Sequence, residues 1–208
     1  MAAWGKLVAM WKLVPNILTF IRLGLTFIFL AMILYWPRVT DRPWFLDIAF
    51  VIFVVAGLTD VVDGHIARRW NATSKFGRMI DPLVDKVLVC GAFLCFALIG
   101  VPRLFSWGPT LLAFVHWGIL GILLAREVYV TVLRHRAEAR GINFAAVRLG
   151  KIKMFVQVFA IGTVLIKVAH VPAAWGHWFT LAVFTLMLVI TVASGLQATR
   201  RVRVPVVC

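Results

Sequence analysis

The chain has 208 residues, of which 62% are hydrophobic and only 14% are charged. Globular chains average about 45–50% apolar and about 25% charged residues, so a disordered chain, a disulfide scaffold and an ordinary soluble domain are excluded. Twenty-two basic residues against eight acidic ones give a net charge of +14. In so apolar a chain, that excess points to loops that set membrane topology rather than to a nucleic-acid partner.

Taken in chain order, residues 1–15 come first. Trp4–Leu13 mixes Lys6 and Lys12 with Trp, Leu and Met, which suits an amphipathic juxtamembrane helix lying on the bilayer surface. The two lysines resemble the start of a signal peptide. The apolar run behind them continues too far and shows no small-residue cleavage site, so it is read as a span that stays. Six transmembrane helices are predicted, at 17–36, 46–67, 79–100, 108–134, 150–169 and 176–199. A span needs about 20 apolar residues to cross about 30 Å of hydrocarbon. Only the uncharged runs 104–125 and 168–199, of 22 and 32 residues, manage that unaided. The other spans take in polar residues at one end. The expected architecture is an all-α polytopic membrane protein forming one domain over 1–208: a surface helix at 1–15, a six-helix bundle at 16–200 and a tail at 201–208.

Topology follows from the basic residues. The segment through Arg22, the regions 68–86 and 126–153, and the end from Arg200 hold 18 of the 22; Arg38, Arg42, Arg103 and Lys167 are the other four. That asymmetry puts both termini on the cytoplasmic side. Trp36, Trp44, Trp107, Trp175 and Trp178 fall near span ends and read as interfacial anchors. Cys90 and Cys95 share an apolar run and read as small buried hydrophobes. His116, His170 and His177 read as packed or interfacial, because no carboxylate or cysteine is spaced to ligate with them.

The scarce acidic residues carry the functional signal. Four of the eight lie between Asp60 and Asp85. Asp60 and Asp63 are three apart, and Asp81 and Asp85 four apart, so each pair shares a helix face. A carboxylate near the end of a membrane helix is costly unless paired or metal-bound. Two consecutive antiparallel helices can bring the pairs together just inside the membrane. Four such oxygen donors suit Mg²⁺, Mn²⁺ or Ca²⁺ rather than zinc or copper. Gly64, Ala67 and Gly77 would let a bulky ligand approach the helix backbone, and Arg68 suits its phosphate. Tight helix packing alone would also explain the small residues, but not the aspartates beside them.

The pattern D-x2-D-G-x2-A-R-x8-G-x3-D-x3-D, from Asp60 to Asp85, resembles the signature of the CDP-alcohol phosphotransferases at every fixed position. Pro15-Asn16-Ile-Leu-Thr19-x-x-Arg22, Thr73-Ser-Lys-Phe-Gly77, Asp81-Pro-Leu-Val-Asp85-Lys86, Arg126-Glu127-Val and Gly150-Lys151-Ile-Lys153 are similar to the bacterial phosphatidylglycerophosphate synthase branch. The chain departs from that branch at Val84, where alanine is usual, and at Met154, where threonine is usual. The resemblance implies six transmembrane helices, a homodimer, and a place in a bacterial-type inner membrane with the active site facing the cytoplasm. It implies two divalent ions, Mg²⁺ or Mn²⁺, on Asp60, Asp63, Asp81 and Asp85, with Asp85 also the catalytic base. It implies a CDP-diacylglycerol donor on Asn16, Thr19, Gly64, Ala67, Arg68 and Gly77. The acceptor would be sn-glycerol 3-phosphate, its phosphate held by Arg126, Lys151 and Lys153, with inositol phosphate or serine as alternatives. Glu127 is expected to orient a basic neighbour, and Gln157, one turn beyond Lys153, to line the same cavity. An ion or proton transporter would instead spread its carboxylates through the membrane depth.

Overall fold

The computed structural model describes the backbone of residues 2–40, 42–70, 75–105, 107–140 and 148–203. It describes the side chains of 19–40, 42–59, 83–105, 107–137, 139–140 and 149–200. Every regular element among them is helical: α1 (Ala2–Tyr35), a short 3₁₀ turn (Trp36–Arg38), α2 (Pro43–Trp70), α3 (Lys75–Ile99), α4 (Pro109–Ala139), α5 (Arg148–His170) and α6 (Ala174–Arg203). Two compact units divide the chain, Met1–Cys95 and Phe96–Cys208.

Local chemistry sets the helix ends. Pro43 and Pro109 open α2 and α4, where proline gives up only a donor that has no helical partner. At the end of α3, Gly100 takes φ +67° and the Val101 N–H donates back to the Phe96 carbonyl at 3.0 Å. This left-handed cap favours glycine, and Pro102 directly behind it stops the helix from resuming. The backbone stays helical from Ala2 to Tyr35, so the stretch expected as a separate surface helix runs on through Pro15 into the first span. Where lipid offers the backbone no water, continuing the helix satisfies its polar groups best.

In the first unit, α1 and α2 pack through stripes at helical spacing. Arg22, Thr26, Phe29, Ile33 and Trp36 are buried on one side, and Leu46, Ala49, Phe53 and Ala56 on the other. The Phe29 and Phe53 rings meet at 5.0 Å. α3 closes against α1 at Gly91, where a Cβ would lie 2.8 Å from Leu30 Cδ1. The opposite face of α2 exposes Ile48, Val51, Val54, Val55 and Leu58, as a lipid-facing helix does. Trp36 is an exception to the interfacial reading of the tryptophans: it is buried, while Trp44 is exposed.

In the second unit, α6 packs on both α4 and α5. Its interior holds Leu123, Ala160, Ile161, Val164, Thr180, Met187 and Thr191. The loop before α4 is pinned by Phe105, whose N–H donates to His177 Nδ1 at 3.1 Å and whose ring contacts His177, Trp107 and Trp178. Among the described residues, four helical segments are long and apolar enough to cross a membrane: Thr19–Arg38, Pro109–Ala137, Leu149–His170 and Ala174–Arg200.

Candidate active site

The first unit carries the aspartate signature. Asp60, Asp63, Gly64, Ala67 and Arg68 fall on α2, and Gly77 and Asp81 on α3, but their side chains lie outside the described residues, as does that of Asn16 on α1. Asp85 is described. Its side chain is 22% exposed, and its Oδ1 accepts from Arg22 Nη1 at 3.1 Å. Arg22 itself is 1% exposed. A guanidinium so fully withdrawn from water is tolerable only against a counter-charge. Removing one member of such a pair typically costs about 3–5 kcal/mol.

Arg22 is the residue for which sequence reasoning assigned no role. Within the Pro15–Arg22 element it reads from sequence only as one more topology charge. The signal was present: an arginine followed by an uncharged stretch to Pro37 is an ionisable group inside a span, which is functional by default. Thr19 is 6% exposed and sits three residues before Arg22, hence on the same helix face. Thr26 Oγ1 donates to the Arg22 carbonyl at 2.8 Å, extending this polar stripe a turn deeper into α1.

The donor set fits divalent metal. Asp85 offers hard carboxylate oxygen, as do the three other aspartates of the signature. Among the described residues, no three metal-ligating side chains gather; Asp60, Asp63 and Asp81 are outside that set.

The second unit holds a separate charged group. Glu127 Oε1 accepts from Arg126 Nη1 at 3.0 Å and also from Lys153 Nζ. One oxygen on α4 therefore receives a cation from its own helix and another from α5. The three side chains are only 10–14% exposed. α6 supports them: a Cβ on Gly195 would sit 3.5 Å from Arg126 Cγ, and Tyr129 and Thr199 share a hydrogen bond of 2.9 Å one turn on. Gln157 is buried at 2%. Lys151 is exposed, because a two-residue step on a helix turns a side chain about 200° away. Arg126 and Lys153 thus meet on one carboxylate oxygen, while Lys151 is exposed.

Comparison with known proteins adds a separate line of support. The family model for CDP-alcohol phosphatidyltransferase matches residues 12–197. A CDP-diacylglycerol–glycerol-3-phosphate 3-phosphatidyltransferase of Shigella flexneri is 34% identical over 186 residues, covering 88% of this chain and 91% of the relative. The enzymes of the same name from Escherichia coli and Salmonella choleraesuis are 34% and 33% identical over the same shares.

Proposed function

We propose, on the premise that this chain belongs to the CDP-alcohol phosphatidyltransferase family, that it transfers the phosphatidyl group of CDP-diacylglycerol to sn-glycerol 3-phosphate. The products are phosphatidylglycerophosphate and CMP. One observation carries the reading: 34% identity across 88% of the chain to enzymes whose name states that reaction. The complete Asp60–Asp85 signature supports the donor half of it.

The donor's acyl chains remain in lipid while its cytidine and pyrophosphate lie against α2 and α3. Gly64, Ala67 and Gly77 admit the nucleotide to the helix backbone, Arg68 engages its phosphate, and Asn16 and Thr19 contact it from α1. Asp60, Asp63, Asp81 and Asp85 would hold two divalent ions, Mg²⁺ or Mn²⁺, and such a pair would supply charge neutralisation of the pyrophosphate and of the departing CMP. Asp85 takes the proton of the acceptor hydroxyl. That oxygen attacks the phosphorus bearing the diacylglycerol, in line with the breaking bond to CMP. Arg22 holds one oxygen of Asp85 and so fixes how the carboxylate is presented. Arg126 and Lys153 bind the acceptor's phosphate, and exposed Lys151 draws that anion in from water.

The chain crosses a bacterial inner membrane six times, with α1 to α6 as the spans and both termini in the cytoplasm. α2 and α3 join the four long apolar segments as the fifth and sixth spans, and the protein works as a homodimer. The basic-residue asymmetry supports this topology. The test is an acceptor screen. Purified protein with CDP-diacylglycerol is offered glycerol 3-phosphate, inositol phosphate or serine, and CMP release and lipid product are measured. Phosphatidylglycerophosphate is the expected product, and exclusive use of another acceptor refutes the assignment.

A further inference from the structure

We infer that Glu127 is a positioning residue that gathers Arg126 and Lys153 into one cation pair for the acceptor's phosphate monoester, an inference that rests on the acceptor reading above. Three observations carry it. Both cations bond the same oxygen, Glu127 Oε1, from two different helices. Lys153 is 8% exposed, and an ammonium that far from water needs a counter-charge to stay there. Arg126 Nε is buried and without a hydrogen-bond partner among the described residues, a donor held ready while Nη1 is occupied by Glu127.

The charges favour a phosphate over a neutral ligand. Two cations with no carboxylate between them would repel, and each would turn toward water. With Glu127 between them the cluster keeps a net charge of +1, and a phosphate dianion meets two donor groups already in place. Charge-assisted bonds of this type are the strong ones, and arginine adds a fixed donor geometry. Glu127 itself meets no reacting atom; it acts through its two partners. Lys151 lies on another side of α5 and is not held by this oxygen, so the carboxylate selects one of the two lysines of the Gly150–Lys153 element.

The test uses the full-length enzyme in mixed micelles with CDP-diacylglycerol, following CMP release while glycerol 3-phosphate is varied. Glu127→Gln is expected to raise the acceptor KM about tenfold or more, the scale of a lost hydrogen bond to a charged group. Donor KM and kcat should stay within about threefold, because only the acceptor's hold is altered. Glu127→Asp should recover part of the loss. In a Lys153→Met background, Glu127→Gln should add less than about threefold, since residues acting through each other are not additive. Thermal unfolding of each variant in detergent accompanies the kinetics. An unchanged acceptor KM in folded Glu127→Gln, or no recovery of it in folded Glu127→Asp, overturns the assignment. So does full additivity with Lys153→Met, or a loss of melting temperature with both KM values intact. Wild-type enzyme that ignores glycerol 3-phosphate overturns the acceptor reading and this inference with it. Wild-type activity with unmoved variants overturns the inference alone.

Discussion

Asp85→Asn separates two roles that one side chain combines. The substitution keeps volume and one oxygen, so the amide can still accept from Arg22 Nη1, which lies 3.1 Å from Oδ1. It removes the charge that offsets a guanidinium only 1% exposed. Full deletion of one partner of a buried pair costs about 3–5 kcal/mol. Retaining a neutral hydrogen bond reduces this to about 1–3 kcal/mol, within reach of a folded protein. The catalytic loss is of another kind. An amide takes no proton near neutral pH, and losing a general base lowers the rate by about 10²–10⁴, or about 3–5 kcal/mol of activation free energy. Adding Arg22→Met removes the cation as well, and replacing both charges of a buried pair is often neutral for stability. The double variant should therefore regain stability without regaining rate. The assays are kcat from CMP release at saturating donor, acceptor and metal, and thermal unfolding in detergent. Near-normal kcat in Asp85→Asn refutes the base assignment. Rescue of kcat by extra metal or by Arg22→Met refutes it equally, because either would make Asp85 a ligand or a packing element only.

Three further outcomes are expected. CMP release should stop in excess chelator and return with Mg²⁺ or Mn²⁺, and Asp60→Asn should weaken metal and donor binding together; full turnover in chelator rejects the two-metal reading. Gly64→Leu should abolish CDP binding in a protein that still unfolds cooperatively, and wild-type binding would assign the glycine to packing. Gly91→Leu should lower stability by about 1–3 kcal/mol, the usual cost of overpacking, because a Cβ alone already reaches 2.8 Å from Leu30 Cδ1; Gly91→Ala should cost little, since that contact is the mobile end of a leucine.

The helical class was legible because lipid leaves the backbone few choices. The long segments at Pro109–Ala137 and Ala174–Arg200 correspond to the two uncharged runs that could span unaided. At Pro43 a proline rather than hydropathy sets the start of α2, ahead of the expected limit at 46, whereas the Gly100 cap ends α3 and Pro109 opens α4 within one residue of the expected limits. The site was legible in proportion to how rare its residues are. Aspartates in an apolar chain stand out, whereas Arg22 was hidden among many basic residues doing a different job. The difference between Lys151 and Lys153 was available from helical periodicity alone. A shared motif drew them into one role, and the structure buries one and exposes the other.

Two of the described carboxylates, Asp85 and Glu127, bear on what the basic residues are for. Each is bonded to cations that are themselves more than four-fifths buried. Charge inside a span is stable only when matched, so Arg22, Arg126 and Lys153 are committed to carboxylates and do not act as free topology signals. Setting those three aside leaves fifteen basic residues on the side assigned to the cytoplasm against four on the other. Arg22, Arg126 and Lys153 are buried against carboxylates, and the remaining count still keeps its excess on the side assigned to the cytoplasm. Part of the excess charge is neutralised within the protein by Asp85 and Glu127. On the proposed acceptor reading, an incoming phosphate would meet at Arg126 and Lys153 a pair already held by a carboxylate, so its binding would require little rearrangement. That preorganisation is the physical content of the Glu127 assignment, and it distinguishes a built anion site from a row of surface lysines.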